Sequence, residues 1–403
     1  MSIPEFVAHG NHYTLRWAAE QLTIEVERIR EGREGHTIGE IKITTDAPGY
    51  EPYLHRSMFT LSSQQARRQL AQAMQERFPI NQWDSILEQL YWMSAEQYRQ
   101  GEPIMFAGNS DHPLETPYLL YPLLPEGQPT LLYGVGGCGK SWLADYIALS
   151  VQLPYDSHQW SPRQANVLFL DWETDFLTFG SRIKRLKAGL GFPEELTIRY
   201  RRCWQTLADD MEHIKRLVDE HHIEFIIVDS CGGACGGDIS LPEPVNRFFS
   251  AIRYLGCTSL LLHHVPKSDN VPFGSAYFFN WARAVFFVKK ADESDTEHEM
   301  DVGIFHKKAN EAALSSSRGF LFRFLDESVT VKHKQLTDTA EFVQQMSCRV
   351  RIEQALKLGK MSTDDLVATT SDSRETITRT LGRMRDKDQV VKMGDTWGLP
   401  AHV

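Results

Sequence analysis

The sequence has no long apolar run. No stretch of its 403 residues approaches the ~20 needed to cross a bilayer as a helix, so no membrane partner is expected. The opening, MSIPEFVAHGNHYTLRW, has no basic flank followed by an apolar core. A secretory leader is therefore not expected, and residence in the cytoplasm is. Cysteine is sparse and scattered, at 138, 203, 231, 235, 257 and 348. That usage fits a reducing compartment better than a disulfide framework. Cys231 and Cys235 have no second pair at ligand spacing, so a zinc centre is not expected either. An excess of basic charge is missing too: 43 Lys and Arg stand against 53 Asp and Glu, a net charge of −10. Any contact with nucleic acid must come from a local patch. Internal repeats and low-complexity tracts are absent.

What is present divides into three textures, enough for two or three domains. Residues 1–110 begin with alternating segments, YTLRW, LTIEVERI and GEIKIT, that read as half-buried strands. Two amphipathic helices follow, one capped near Ser62 and Ser63, the other with Trp83, Ile86, Leu87 and Leu90 on one face. This predicts an α+β domain with no recognisable chemistry. The segment RQGEPIMFAGNSDHPLETP reads as a linker. Over residues 117–335, apolar runs (PTLLYG, NVLFLDW, FIIVDS, TSLLLHH, RAVFFVKK, VGIFHKK) alternate with helical patterns. The expectation is an α/β domain with a parallel sheet covered on both faces. In residues 341–403, three short helices and a hairpin around Gly394 read as a winged helix-turn-helix.

The most specific feature is GVGGCGKSW, residues 134–142. Gly134, Gly139, Lys140 and Ser141 occupy the fixed positions of a P-loop, between a strand-like TLLYG and a helix-like SWLADYIALSV. Glycines at 134, 136, 137 and 139 let successive N–H groups of the loop, through Cys138, turn inward as an anion nest at a helix N-terminus. Trp142 follows in the first helical turn. The chemistry expected is ATP binding: Lys140 on the β- and γ-phosphates, the Ser141 hydroxyl on Mg²⁺.

Strand ends supply carboxylates. FIIVDS places Asp229 where it can hold the Mg²⁺ shell, partly through water. NVLFLDWETD places Asp171, Glu173 and Asp175 just beyond another strand, where ligands sit in open α/β sheets. Glu173 is the choice for polarising an attacking water, and Asp175 fits a helix N-terminal charge. TSLLLHHVPKS ends a further strand at His263 and His264, with Lys267 beyond.

These residues together resemble the RecA-fold core of the hexameric replicative helicases of the DnaB superfamily, nearest to the plasmid RepA type. The similarity covers about residues 117–335, and LLLHHVPKSDNVPFGSAYFFNWARAVFF carries much of it. The resemblance implies a RecA-like P-loop ATPase that assembles as a homo-oligomer, with a hexameric ring the expected state, and acts on DNA in replication. By motif match, His264 senses the γ-phosphate, Glu173 activates water, and Arg283, nine residues after Gly274, is the arginine finger for the neighbouring subunit. An Arg at a sheet end could equally be a structural ion pair. FHKKANEA resembles the Lys-x-Arg element of DnaB-type helicases: Lys307 matches its Lys as a trans-acting residue, and Ala309 stands where Arg is found. Two other uses of such a core stay open, a nucleotide-switched DNA-loading, recombination or defence ATPase, and a KaiC-like signalling ATPase.

For DNA, two segments are candidates. The Gly-rich stretch CGGACGGDISLPEP after Asp229 reads as a mobile loop that would face single-stranded DNA in a ring, or as a plain flexible connection. In the C-terminal segment, Arg374, Thr378, Arg379 and Arg383 share or border one helical face that could meet duplex DNA. Many winged helices contact protein instead.

Overall fold

The structure is a computed structural model that describes residues 3–32, 35–80, 82–101, 104, 108, 115–154, 160–265, 276–291 and 298–400. Residues 102–103, 105–107 and 109–114 of the linker segment, and the Lys267 and Gly274 positions, lie outside these residues. The chain divides into two compact units, residues 1–112 and 113–403.

In the first unit, strands β1 (Glu5–His9), β2 (His12–Trp17), β3 (Leu22–Glu31), β4 (Thr37–Thr45) and β5 (Tyr53–Thr60) form an antiparallel meander in that order. Alternation explains the register: Leu15, Trp17, Ile24, Val26, Ile41 and Ile43 are all buried on one face. Helices α1 (Gln64–Arg77) and α2 (Trp83–Gln100) cover that face. The Ser63 hydroxyl caps α1 by accepting from the Ala66 N–H at 3.2 Å. Trp83, Ile86, Leu87 and Leu90 form the buried stripe of α2. Strands β1 and β5 were not legible in the sequence pattern.

The second unit opens with two short strands, β6 (Tyr118–Tyr121) and β7 (Leu124–Pro125). It continues β8 (Pro129–Val135), α3 (Lys140–Gln152), β9 (Ser161–Pro162), β10 (Val167–Asp171), α4 (Phe176–Leu190), β11 (Arg199–Arg202), α5 (Leu207–Glu220) and β12 (Phe225–Asp229). Then come α6 (Cys231–Cys235), α7 (Pro242–Leu255), β13 (Thr258–Val265), α8 (Tyr277–Trp281), β14 (Ala284–Lys290), β15 (Glu299–Ala309), β16 (Arg318–Phe324) and β17 (Val329–Lys334). Nine strands make one sheet in the order β11-β10-β12-β13-β8-β14-β15-β16-β17. The first six run parallel, and β15, β16 and β17 extend the sheet antiparallel. Successive residues feed two separate cores: Leu132, Ile227, Leu262 and Phe286 pack on one side, and Leu131, Ile226, Leu261 and Val285 on the other. That two-sided burial is why these strands read as continuous apolar runs.

One expectation is corrected here. VGIFHKK lies in β15 and is antiparallel to β14, with Ala284 opposite Ala309. A parallel return needs a crossover of about a dozen residues or more, and the segment between β14 and β15 is too short for one. The final segment holds α9 (Ala340–Val343), α10 (Cys348–Lys357), β18 (Met361–Ser362), α11 (Thr363–Thr370), α12 (Arg374–Arg385), β19 (Val391–Met393) and β20 (Thr396–Gly398). Ile352, Leu366, Ile377, Leu381 and Trp397 form its own small core. Gly394 turns the β19–β20 hairpin at φ 58°.

Candidate active site

The loop from Gly134 to Lys140 joins β8 to α3. Gly137 and Gly139 have φ of 76° and 93°, in the region that favours glycine. Gly134 is required for a second reason, since a Cβ there would sit 2.4 Å from the Val288 carbonyl oxygen. Gly136 and Gly137 are exposed, whereas the Cys138 side chain is buried and its thiol is raised by that burial. Its sulfur accepts from the Lys140 ammonium at 3.8 Å, inside the loop. Trp142 packs edge-on against Phe324, with ring centroids 5.2 Å apart.

Lys140 is buried and donates to the Gly134 and Val135 carbonyls, each at 2.9 Å. Its ammonium also lies 3.4 Å from His264 Nδ1. His264 Nε2 is 2.9 Å from Glu173 Oε1. Since an ammonium can only donate, Nδ1 is the His264 nitrogen that faces Lys140, and Nε2 is the one turned to Glu173. Ser230 also donates to Glu173. The His264 hydrogen bond leads in holding the Glu173 carboxyl below the usual range, with Ser230 and the Lys140 charge assisting against partial burial. Strand alternation sends the neighbouring His263 the other way, where it stacks on Phe278 at 4.3 Å.

The carboxylates around this line divide by environment. Asp171 is fully buried and accepts from the Glu173 and Thr174 N–H groups at 2.8 and 2.9 Å and from the Tyr200 hydroxyl at 3.1 Å. It shapes the turn that presents Glu173. Asp175 caps α4, accepting from the Leu177 and Thr178 N–H groups, as the helix-charge expectation had it. Asp229 accepts from the Ser141 hydroxyl at 2.9 Å. Burial, then the nearby Glu173 charge, push its carboxyl up to about 6 against the Ser141 bond. A buried carboxylate paired with a hydroxyl offers the hard oxygens that Mg²⁺ takes, so the residues present fit that ion.

Two groups escaped the sequence reading. Ser230 follows Asp229 in a segment read only for its acid. Asp145 lies one turn after Ser141 on α3, completely buried, and receives Arg182 Nε of α4 at 2.6 Å. Complete burial pushes the Asp145 carboxyl up to about 7, against the Arg182 charge. Arg182→Ala should destabilise the fold by roughly 3 to 5 kcal/mol at pH 8, because it strands a buried acid. Urea denaturation would show the loss shrinking towards pH 5. A carboxylate whose folded pKa exceeds its unfolded value loses stability as pH rises through that window.

The remaining sequence candidates lie elsewhere. The Arg283 N–H donates to the Pro129 carbonyl at 2.9 Å, at the start of β8, and its guanidinium pairs with Glu311. The loop is at the other end of β8, about 20 Å away at the usual strand rise. Lys307 is half-buried, with its ammonium 3.2 Å from the Gln345 carbonyl and over the Phe287 and Phe305 rings. It is thus engaged by its own chain. The adjacent Lys308 donates to the Phe279, Asn280 and Ala282 carbonyls at the end of α8. The Gly-rich stretch is not wholly a loop: its first five residues form α6, with Cys231, Ala234 and Cys235 buried. Cysteines four apart act as small apolar groups on one helical face, and Gly233 lets Trp172 pack where a Cβ would come within 2.7 Å. Arg374, Thr378, Arg379 and Arg383 are exposed on α12, opposite buried Ile377, Leu381 and Met384, and Arg374 pairs with Asp364.

No curated protein matches the sequence. The chain is similar to the solved structure of a KaiC-like protein from the hyperthermophilic archaeon Pyrococcus horikoshii OT3, at 17% identity and a TM-score of 0.37, covering 52% of this chain and 93% of that one. Residues 98–270 match the family described as AAA domain. That stretch carries the phosphate loop, Glu173, Asp229 and His264, and the match supports an ATPase of the RecA-like P-loop class.

Proposed function

We propose that the protein is an oligomeric, Mg²⁺-dependent ATPase that acts on DNA, a helicase or translocase of the plasmid RepA type. The observation that carries this reading is the bonded line Lys140–His264–Glu173 beside the Ser141–Asp229 pair. Lys140 and the loop amides hold the phosphates. Ser141 and Asp229 hold Mg²⁺, which supplies charge neutralisation at the phosphate oxygens. Glu173 orients the attacking water. While His264 donates to it, Glu173 is a weak base. When His264 turns to a γ-phosphate, Glu173 loses the bond that most depresses its pKa and becomes a better one. Arg283 of one subunit serves the site of the next, and the α12 face of a C-terminal winged helix meets duplex DNA.

Steady-state ATP hydrolysis with and without single-stranded DNA, blanked with Lys140→Ala, tests the reading. Stimulation by DNA is expected, and hydrolysis indifferent to DNA would remove the motor. A second reading, a nucleotide-switched loader without unwinding activity, draws support from Lys307. Its bond to Gln345 ties the lead into the C-terminal helices to β15. Strand-displacement assays separate the two.

The Asp229 carboxyl also sets a pH dependence. Mg²⁺ takes the ionised form and the proton competes, so the apparent affinity for Mg²⁺–ATP should fall about tenfold from pH 7 to pH 5, half-lost near 6. Titration of Mg²⁺ at fixed ATP would show it, and an affinity flat across that range would remove Asp229 from the metal site.

A further inference from the structure

Beside Glu173 the surface carries large apolar groups that the site does not use. Trp204 is 78% exposed, Phe176 64% and Leu177 81%. The Arg202 guanidinium lies over the Trp204 ring, 4.2 Å from its centroid. One ring face thus holds a cation and the exposure leaves the other open. Arg201 is bound to Asp210, whereas Arg202 makes no ion pair among the described residues, and Asp175 feels its charge without bonding it. An open indole face with an adjoining unpaired guanidinium fits a flat, electron-rich ring attached to an anionic backbone.

The patch is wired to the site. Arg202 lies opposite Asp171 in the sheet, and the Cys203 N–H donates to the Asp171 carbonyl at 2.8 Å. The Trp172 indole, adjacent to Glu173, donates to the Gln205 carbonyl at 2.8 Å. Strand β11 stands four places from β8 in the sheet, about 19 Å at ordinary strand spacing. The base of a nucleotide anchored in the loop would have to cross most of the sheet to reach Trp204.

We propose that Arg202 and Trp204 form a nucleobase-stacking platform for single-stranded nucleic acid, coupled to Glu173 through Trp172. This rests on the reading of the chain as an ATPase that acts on DNA. The test measures a labelled oligothymidine and a fluorescent ATP analogue binding to the full chain. Trp204→Ala should lose about tenfold or more in oligothymidine affinity. It should keep its affinity for the ATP analogue and its strand-free hydrolysis. Trp204→Phe should restore most of the affinity. Trp172→Phe should bind the strand as the wild type does and lose the stimulation. If the unaltered protein binds no oligothymidine, the DNA reading itself fails and this platform with it. If it binds, and Trp204→Ala binds equally well, the platform is wrong and the DNA reading stands. Weakened ATP binding alone would assign the stacked base to the nucleotide. A changed oligomeric state by sedimentation would make the patch a subunit contact. Either result overturns the proposal.

Discussion

Arg283→Ala is expected to leave ATP binding within about twofold and to lower hydrolysis by about a thousandfold or more, the scale of a lost arginine finger. The size of the effect follows from position. Arg283 precedes β14 and is held to Pro129, at the end of β8 remote from the loop. In its own subunit it cannot approach a phosphate bound at Lys140. Its pairing with Glu311 is a surface ion pair, and losing such a pair costs stability little. A large kinetic loss with an unchanged melting temperature would therefore mark action on a neighbouring site. Mixing supplies the sharper measurement. Subunits carrying Arg283→Ala and subunits carrying Glu173→Gln should each be inactive alone and partly active together. Normal turnover by Arg283→Ala would show that the site is not interfacial.

Lys140→Ala carries the second large effect, a loss of at least a hundredfold to a thousandfold in turnover together with weakened nucleotide binding. Lys140 is the cation at the centre of the loop, and its ammonium now satisfies two loop carbonyls and His264. Removing it takes the phosphate contact, the support of those carbonyls and the cation beside His264. Circular dichroism separates loss of chemistry from loss of fold: the spectrum should match the wild type while hydrolysis drops to background. Hydrolysis within tenfold of the wild type would mean that the loop is not the phosphate site.

The two predictions rest on unequal kinds of legibility. Lys140, Ser141 and Asp229, which the structure brings together, stood out in the sequence because glycine at fixed spacing and a carboxylate at a neighbouring strand end are both local features. The alternation of apolar runs with helices marked five of the six parallel strands for the same reason, and β11, whose residues are RYRR, carries no apolar run to mark it. Partnerships across the sheet left no such trace. The Arg182–Asp145 pair joins residues 37 apart in sequence, and nothing near either one specifies the other. VGIFHKK looked like its parallel neighbours because it too is buried on both faces, and strand direction is set by connection length, not by composition. Two glycines in CGGAC suggested a loop, but close packing against Trp172 favours glycine there, and the two buried cysteines hold the turn of helix in the core. Lys307 matched a motif position, yet its environment is set by Phe287, Phe305 and Gln345 from other elements.

Strand β14 has a consequence for an assembled ring. The Val288 carbonyl lies directly beneath Gly134 of the phosphate loop, and Arg283 stands at the other end of the same strand. A strand hydrogen-bonded on both sides, to β8 and to β15, neither stretches nor bends easily. If Arg283 reaches into the adjoining subunit as proposed, a shift of the loop on filling or emptying would be carried the length of β14 as a displacement of that guanidinium. Each protomer's occupancy would then time the firing of its neighbour, and hydrolysis would pass around the ring in sequence.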